Sequence, residues 1–290
     1  NYADDHGHGT KVASVIASNM DDGFGIAGIA PKSTLLAVKV ADLNGAVTYA
    51  NMINGIDYAV TQGAKVVNMS LGGRAASTAL QLAVDNATQK GVTIIAAAGN
   101  EGLTSLSYPA AYLNVIGVGA VDIYGDKMTY SNSGTGLTVM AGAGALCETM
   151  TGTLVSAAGT SFSTPYVSGL IGLMYAMDSQ MNSNKAIALL TTTSKDLGDA
   201  GYDLSYGNGL LDMGTALLKL KSDLTAPVQE PVQTPTQPSA DTVAPMISLL
   251  GSNPMVLNIG DSYIEPGASA MDDREGNVTT TSRSVSVEAL

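Results

Sequence analysis

Strand-length apolar runs alternate with helix-period segments between residues 33 and 220. The runs are Ser33–Val40, Val66–Leu71, Val92–Ala98 and Val115–Val121. Parallel strands that are covered by helices on both faces lose the usual apolar–polar alternation, so such runs predict buried strands of a parallel sheet. We therefore expect an α/β fold with a three-layer, doubly wound parallel sheet.

Three segments between or after these runs have the spacing of helices. Val47–Val60 places apolar residues on one face with a period of 3.6, and Leu80–Lys90 is followed by Gly91, a common helix stop. Thr160–Met177 is long and mostly apolar, with Pro165 in its first turn, where a missing N–H is tolerated. These segments predict the helices that cover the sheet.

The composition changes near Lys221, and this divides the chain into three parts. Residues 1–220 form the α/β domain, and residues 221–244 are rich in Pro, Gln, Thr and Ser, which predicts an extended linker. Residues 245–290 then carry short strand-like runs separated by turn residues, at Met246–Leu250, Met255–Ile259 and Tyr263–Ala270. The sequence pattern here, which includes Gly260–Tyr263 and Glu265–Ala268, resembles that of bacterial immunoglobulin-like repeats. This implies a partial all-β immunoglobulin-like domain that ends before a sandwich could close.

Net charge, apolar run length and cysteine content exclude several kinds of partner and bond. The chain has 25 acidic and 13 basic residues, a formal net charge of -12, which argues against binding nucleic acid or an anionic membrane surface. No apolar run approaches the roughly 18 residues of a membrane span. The single cysteine, Cys147, excludes an intrachain disulfide and is expected to be a small buried residue.

Three short motifs carry the candidate chemistry. The sequence HGHGT surrounds His8, AGNEG follows an apolar run and contains Asn100, and GTSFSTP contains Ser161 at the start of the last predicted helix. Each has an ordinary alternative: a solvent-facing histidine, a turn amide, or a serine that caps its helix. Together they offer a base, an amide donor and a hydroxyl nucleophile, the parts of a serine acyl-transfer site.

In this order, the motifs resemble those of the subtilisin-like serine proteases (subtilases, peptidase S8 family), from about Asp5 to Leu220. The resemblance implies a secreted or cell-surface bacterial endopeptidase. In it, His8 would be the general base and Ser161 the nucleophile, and the Asn100 side chain with the Ser161 N–H would face the oxyanion. Phe162 and Ser163 stand where the family usually has Met and Ala.

The resemblance also implies a triad aspartate. Only seven residues precede His8, so we expect the strand that carries this aspartate to lie outside the sequence. Asp4 and Asp5 belong to the same loop as His8 and are not expected to replace it. By itself the chain is then predicted to be inactive as a protease, because the aspartate orients and stabilises the histidine.

The same resemblance implies a cleft for an extended polypeptide. Glycines there would let a peptide backbone approach and pair, while small walls would admit a large apolar P1 side chain, and Glu101 at the rim a basic one. The implied cleft residues are Ser70, Leu71, Gly72, Gly73, Gly45, Tyr49, Ala98 and Gly99. We expect a monomer whose tail could bind a surface or a polymer.

A loop at Asn19–Ile26 resembles the structural calcium loop of this family. It offers the carboxylate and carbonyl oxygens that Ca²⁺ prefers, with Asp22 as the side-chain ligand and Met20, Phe24 and Ile26 as further positions. Calcium would be structural, and no cofactor is expected for catalysis.

Two other classes of function stay open. One is a catalytically inactive fragment or pseudoprotease that binds peptides in the same cleft. The other is a non-enzymatic adhesin or surface protein, which depends on the tail alone.

Overall fold

A computed structural model describes residues 3–225 and the backbone of residues 246–249, 268–272 and 276–277. The chain divides into two compact units, Asn1–Ala226 and Pro227–Leu290. Most of the predicted linker and the predicted strand Met255–Ile259 lie outside the described residues.

The first unit is built on a four-stranded parallel sheet. Its strands β1 (Val66–Met69), β2 (Thr93–Ala97), β3 (Val115–Val121) and β4 (Leu137–Gly142) lie side by side in chain order. Every residue of β2 and β3 is buried, as expected for strands that are covered on both faces. The predicted α/β class with a parallel sheet is confirmed.

The described residues 3–225 form six helices. The predicted helices at residues 47–60, 80–90 and 160–177 are present, the last with the predicted ends. Thr48 and Ser77 cap two of them by accepting hydrogen bonds from main-chain N–H groups of the first turn. The helices are α1 (His8–Ala17), α2 (Tyr49–Thr61), α3 (Thr78–Gln89), α4 (Thr160–Met177), α5 (Ser183–Thr193) and α6 (Met213–Thr225). Among the helices of residues 3–225, none has the length and apolar character needed to cross a membrane.

The sheet has a separate apolar core on each face. Ile94 points to the side of α2 and α3, where it belongs to one cluster with Ile56 and Val84. Its neighbour Ile95 points to the opposite side, in a cluster with Leu170 of α4, because successive strand residues face opposite ways. Burying each such side chain contributes about 1.5–3 kcal/mol. The result is the predicted three layers.

A small antiparallel hairpin completes the first unit. Strand β5 (Gly144–Glu148) pairs with β6 (Leu154–Ala158) and packs with α1 and the start of α4. Cys147 of β5 is fully buried and free, in agreement with its predicted structural role. Sequence patterns did not predict this hairpin, β4, α5 or α6.

The predicted strand Ser33–Val40 is wrong. This segment pairs with no strand among the described residues; only Ala41, just after it, forms an isolated bridge with Val47. Leu35 and Leu36 are 47% and 41% exposed. Apolar composition favours a strand, but a strand exists only where a neighbour supplies a hydrogen-bonded ladder.

The end of the α/β unit lies later than the predicted residue 220. Helix α6 continues to Thr225, five residues beyond. Leu220 is buried against the sheet core, and Lys219 bonds to Asp223 one turn further along the helix at 2.6 Å. This pair supports the last turn, which sequence composition assigned to the linker.

The second unit is described only by a small antiparallel sheet. Strand β7 (Met246–Leu249) pairs with β8 (Ala268–Asp272), which pairs with β9 (Gly276–Asn277). The all-β character of these segments agrees with the sequence pattern, and the immunoglobulin-like assignment stays a prediction.

Candidate active site

Two neighbouring strands end at the same edge of the parallel sheet. Ser70 follows the last residue of β1, and Ala98, Gly99 and Asn100 follow the last residue of β2. The two strands are paired in register, with Met69 opposite Ala96, so the residues that follow them emerge close together. The carboxyl edge of a parallel sheet is where ligands bind in α/β folds.

Ser161 is the second residue of α4, which begins at this edge. The preceding Gly159 has a φ of 137°, a conformation that favours glycine. The Ser161 hydroxyl donates to the Ser70 carbonyl at 3.2 Å, and no hydrogen bond joins it to His8 within residues 3–225. At the helix start, the Phe162 N–H bonds to the Gly159 carbonyl, whereas the Ser161 N–H has no acceptor among the described residues.

Thr160 fixes the orientation of the Asn100 side chain. The Asn100 Oδ1 accepts hydrogen bonds from the Thr160 N–H at 2.9 Å and from the Thr160 hydroxyl at 3.0 Å. Because both partners are donors, they identify which end of the Asn100 amide is the oxygen. The other end, Nδ2, has no acceptor in the described part of the chain. Two N–H donors are therefore available near Thr160. One is Asn100 Nδ2, whose amide Thr160 orients, and the other is the N–H of Ser161, the next residue in the chain.

A second network ties the main chain of Ser161 to β1. The Ser70 hydroxyl donates to the Ser161 carbonyl at 2.7 Å and accepts from Asn68 Nδ2 at 3.0 Å. Asn68 in turn accepts a hydrogen bond from the Ser168 hydroxyl of α4 at 2.8 Å. Sequence analysis missed Asn68, Thr160 and Ser168 as parts of the site. For Asn68 the available signal was a polar residue inside an apolar strand run.

His8 approaches the start of α4 from α1, which it opens. Its ring makes an edge contact with Phe162, the residue after Ser161, with 5.8 Å between ring centroids and a tilt of 62°. Phe162 is buried in the cluster that joins α1 to the hairpin. The contact places the imidazole next to the residue that follows Ser161, while Asn100 bonds to Thr160, the residue that precedes it.

Asp4 and Asp5 are both engaged in other interactions. The Asp4 carboxylate accepts hydrogen bonds from the N–H groups of Gly7 and Thr10, both at 2.8 Å, and from the Thr10 hydroxyl at 2.6 Å. It thus satisfies the first turn of α1, where Gly7 offers no side chain. Burial alone would raise the pKa of Asp4, but these hydrogen bonds outweigh it and hold the pKa well below its ordinary value. Asp5 pairs with Lys39 at the surface.

The residues of the predicted cleft line both sides of this edge. Gly73 exchanges two main-chain hydrogen bonds with Tyr108, at 2.9 and 2.7 Å, so in this conformation its backbone is not free to pair with a peptide. The Tyr49 hydroxyl lies beside Gly73, with only about 3.1 Å to the position of an added Cβ. A Cβ added to Gly45 would stand 3.0 Å from Nε2 of the His6 ring.

The remaining cleft residues differ in exposure. Ala98 is fully buried and Ser70 nearly so, whereas Leu71, Gly72 and Gly99 keep more accessible surface. Gly99 has a φ of 109°, and a side chain there would meet Ser107. The walls formed by Ala98 and Gly99 are small and uncharged.

The predicted calcium loop surrounds a cavity of about 360 Å³, lined by Asn19, Met20, Asp21, Gly23, Phe24, Gly25, Ile26 and Ala27. The Asp22 carboxylate does not line it and accepts a hydrogen bond from the Phe24 N–H at 3.0 Å. Within the described residues no group of three or more His, Cys, Asp or Glu side chains is placed to hold a metal ion. A cation here would depend on main-chain carbonyls and one carboxylate, and calcium binding stays a prediction.

Burial lowers the pKa of His8 from 6.5, and the charges of His6 and Lys11 lower it further, while Asp4 offsets part of this effect. We predict that NMR titration of the full chain gives a His8 pKa below 6.5, and that His6→Gln raises it by removing a repulsion. Because the folded pKa is depressed, the contribution of His8 to stability is present above pH 6.5 and is lost as the pH falls through the folded pKa. A His8 pKa above 6.5, or no response to His6→Gln, contradicts this picture.

The geometry can be compared with known proteins. The sequence model of the Subtilase family (peptidase S8) matches residues 1–209. Subtilisin DY of Bacillus licheniformis is 38% identical over 218 residues, which cover 73% of this chain and 78% of that protein. The subtilisin of Bacillus pumilus is 39% identical over 220 residues, covering 74% and 78% of the two chains.

Thermitase of Thermoactinomyces vulgaris is 41% identical over 198 residues, which cover 68% of this chain and 71% of that protein. The region matched by the family model, residues 1–209, contains the parallel sheet, α4 and all three motifs. On the family match and these identities together, the chain belongs to the Subtilase family.

Proposed function

We propose that this protein is a serine endopeptidase that hydrolyses extended polypeptides with Ser161 as nucleophile and His8 as general base. The observation that carries the proposal is the start of α4. There Ser161 is followed by Phe162, which contacts the half-buried His8 ring, and it lies near two N–H donors that have no acceptor among the described residues. Family membership supports the same reaction.

The chemistry would proceed in two acyl-transfer steps. His8 removes the proton of the Ser161 hydroxyl as Oγ bonds to the scissile carbonyl carbon, and the carbonyl oxygen becomes an oxyanion. The Ser161 N–H and Asn100 Nδ2 would donate to this oxyanion. The C–N bond then breaks as His8 returns the proton to the leaving amine. Water attacks the acyl-enzyme with His8 again as base, and Ser161 is restored.

The resting hydrogen bond of Ser161 must open before this reaction. Rotation about χ1 of Ser161 would turn its hydroxyl away from the Ser70 carbonyl and toward His8. Unliganded sites often have such loose geometry. This resting contact is also the observation that favours the alternative, an inactive peptide-binding relative. The proposal assigns the carboxylate that orients His8 to neither Asp4 nor Asp5, since both have other partners.

Covalent labelling of the full chain separates these functions. A fluorophosphonate should label Ser161 of the folded chain, because phosphorylation needs an activated hydroxyl, and the unfolded chain should not react. Ser161→Ala should abolish labelling, and Asn100→Ala should slow it by about 10²-fold or more. Peptide mapping by mass spectrometry identifies the site. A folded chain that binds peptides but does not label at Ser161 would support the inactive alternative.

The walls of the cleft generate a prediction about specificity. Ala98 and Gly99 carry no charge, so the active protein should prefer apolar or aromatic P1 residues to acidic ones. Glu101→Gln should reduce cleavage after Lys or Arg severalfold, a modest effect because the carboxylate is exposed. Peptide-library profiling measures both. Cleavage mainly after Asp or Glu would contradict the assignment of this wall.

We also propose that the Asn19–Ile26 loop binds structural calcium. Saturating Ca²⁺ should then raise the melting temperature of the full chain, since a ligand at 100 times its Kd adds about 2.7 kcal/mol. The Asp22 carboxylate, which accepts from the Phe24 N–H in this structure, would have to turn toward the cavity to bind the ion, and Asp22→Ala should then remove this shift. Asp122→Ala is the matched control, because Asp122 also accepts a hydrogen bond from the N–H two residues on. A Ca²⁺ response that survives Asp22→Ala would place the ion elsewhere.

The bacterial sources of the relatives support a secreted or cell-surface location as part of this proposal. A monomeric catalytic unit, and a tail that binds a surface or polymer, are likewise proposed. Size-exclusion chromatography of the full chain tests whether it is a monomer.

A further inference from the structure

We propose that Asn132 is a positioning residue that holds the main-chain turn carrying Asn100 in the geometry needed to bind the oxyanion. The inference rests on the proposed function. It concerns a side chain that forms no hydrogen bond with Ser161, His8 or Asn100, and that lies in the loop between β3 and β4.

Asn132 makes five hydrogen bonds to one short turn. Its N–H donates to the Gly99 carbonyl at 3.0 Å. Its Nδ2 donates to the Ala98 carbonyl at 3.1 Å and to the Glu101 carboxylate at 2.7 Å. Its Oδ1 accepts from the N–H groups of Glu101 at 3.1 Å and Leu103 at 2.9 Å. Asn132 itself is only 1% exposed.

These contacts use the full capacity of the side-chain amide. Both Nδ2 hydrogens and both Oδ1 lone pairs have partners, so only one orientation of the amide is satisfied. A buried amide with this many partners is a costly group to leave unpaired, and the surrounding backbone is correspondingly rigid.

The partners lie on both sides of Asn100 in the sequence. Ala98 and Gly99 precede it, and Glu101 and Leu103 follow it. The close fit leaves no room for a side chain at Gly99, where an added Cβ would stand 2.2 Å from Asn132 Nδ2. Asn132 therefore fixes the backbone from which the Asn100 side chain projects.

Thr160 and Asn132 then hold Asn100 at two different points. Thr160 orients the side-chain amide through Oδ1, and Asn132 fixes the main chain on both sides. An oxyanion donor works because it is already in position when charge develops, so a shift of about 1 Å can cost a large part of its effect. Loss of Asn132 should thus weaken the chemical step more than peptide binding.

The test uses the full chain and the second-order rate of fluorophosphonate labelling at Ser161. Asn132→Ala should slow labelling about tenfold or more. It should also accelerate amide hydrogen exchange in residues 98–103, with little change in the middle of α4. Asn208→Ala is the matched control, because Asn208 also donates its amide to a main-chain carbonyl, that of Thr138, at 2.8 Å. It should leave labelling unchanged.

Three further variants distinguish positioning from a loss of folding. If Asn132 acts through Asn100, the Asn100→Ala/Asn132→Ala double variant should label no more slowly than Asn100→Ala alone. Asn132→Asp keeps the acceptor for Glu101 and Leu103 but faces a second carboxylate at Glu101. The Asn132→Asp/Glu101→Gln pair restores one donor–acceptor contact and should recover labelling severalfold over Asn132→Asp.

The outcomes separate the inference from the proposed function. Normal labelling by folded Asn132→Ala, or rate losses that multiply in the double variant with Asn100→Ala, would overturn the inference. If the parent chain itself does not label, the proposed function fails. Hydrogen exchange then decides whether Asn132 holds the turn: unchanged exchange in residues 98–103 of Asn132→Ala overturns the inference, and selective acceleration there supports it.

Discussion

The packing of α4 against the parallel sheet is the constraint on which the rest of this structure depends. Leu170, Ile171 and Met174 of the helix are fully buried against apolar residues of β2, β3 and β4. This contact fixes the axis of α4 and therefore the place where its N-terminus meets the carboxyl edge of the sheet. Because Ser161 is in the first turn, core packing on one face determines where the hydroxyl lies.

Hydrogen bonds at the carboxyl edge of the sheet fix the orientation of the site residues more closely than the packing of α4 does. Ser70 and Ser168 join α4 to β1 through Asn68, and Thr160 joins α4 to the turn after β2. Each hydrogen bond of this kind contributes only about 1 kcal/mol to stability. Their larger effect is geometric: they leave the Ser161 N–H and Asn100 Nδ2 as N–H donors without an acceptor among the described residues.

The N-terminal part of the unit shows how an acidic side chain can be used structurally. Asp4 satisfies the N–H groups at the start of α1, and Phe162 supports the ring of His8 at the same helix end. A carboxylate close in sequence to a histidine is thereby directed to the helix backbone. Proximity along the chain is a weak guide to which acid and which base act together, because local hydrogen bonds compete for the same oxygens.

The sequence by itself determined the class of fold and the three motifs. Long buried runs such as Val115–Val121 and the apolar helix Thr160–Met177 were predicted with their observed ends, since burial on both faces leaves a signal in composition alone. The motifs around His8, Asn100 and Ser161 were recognised from the sequence alone, although their catalytic roles remain a proposal.

Tertiary structure decided the features that depend on partners distant in the chain. Ser33–Val40 has the composition of a strand but pairs with no strand of the described residues. Helix α6 runs past the predicted domain boundary at residue 220, because Leu220 is buried there and Lys219 pairs with Asp223. Asn132 looks like an ordinary loop residue in sequence. Only the fold brings its amide within hydrogen-bond distance of the turn that carries Asn100. The physical reason is the same in each case: a hydrogen-bond partner or an apolar neighbour exists only once the chain has folded.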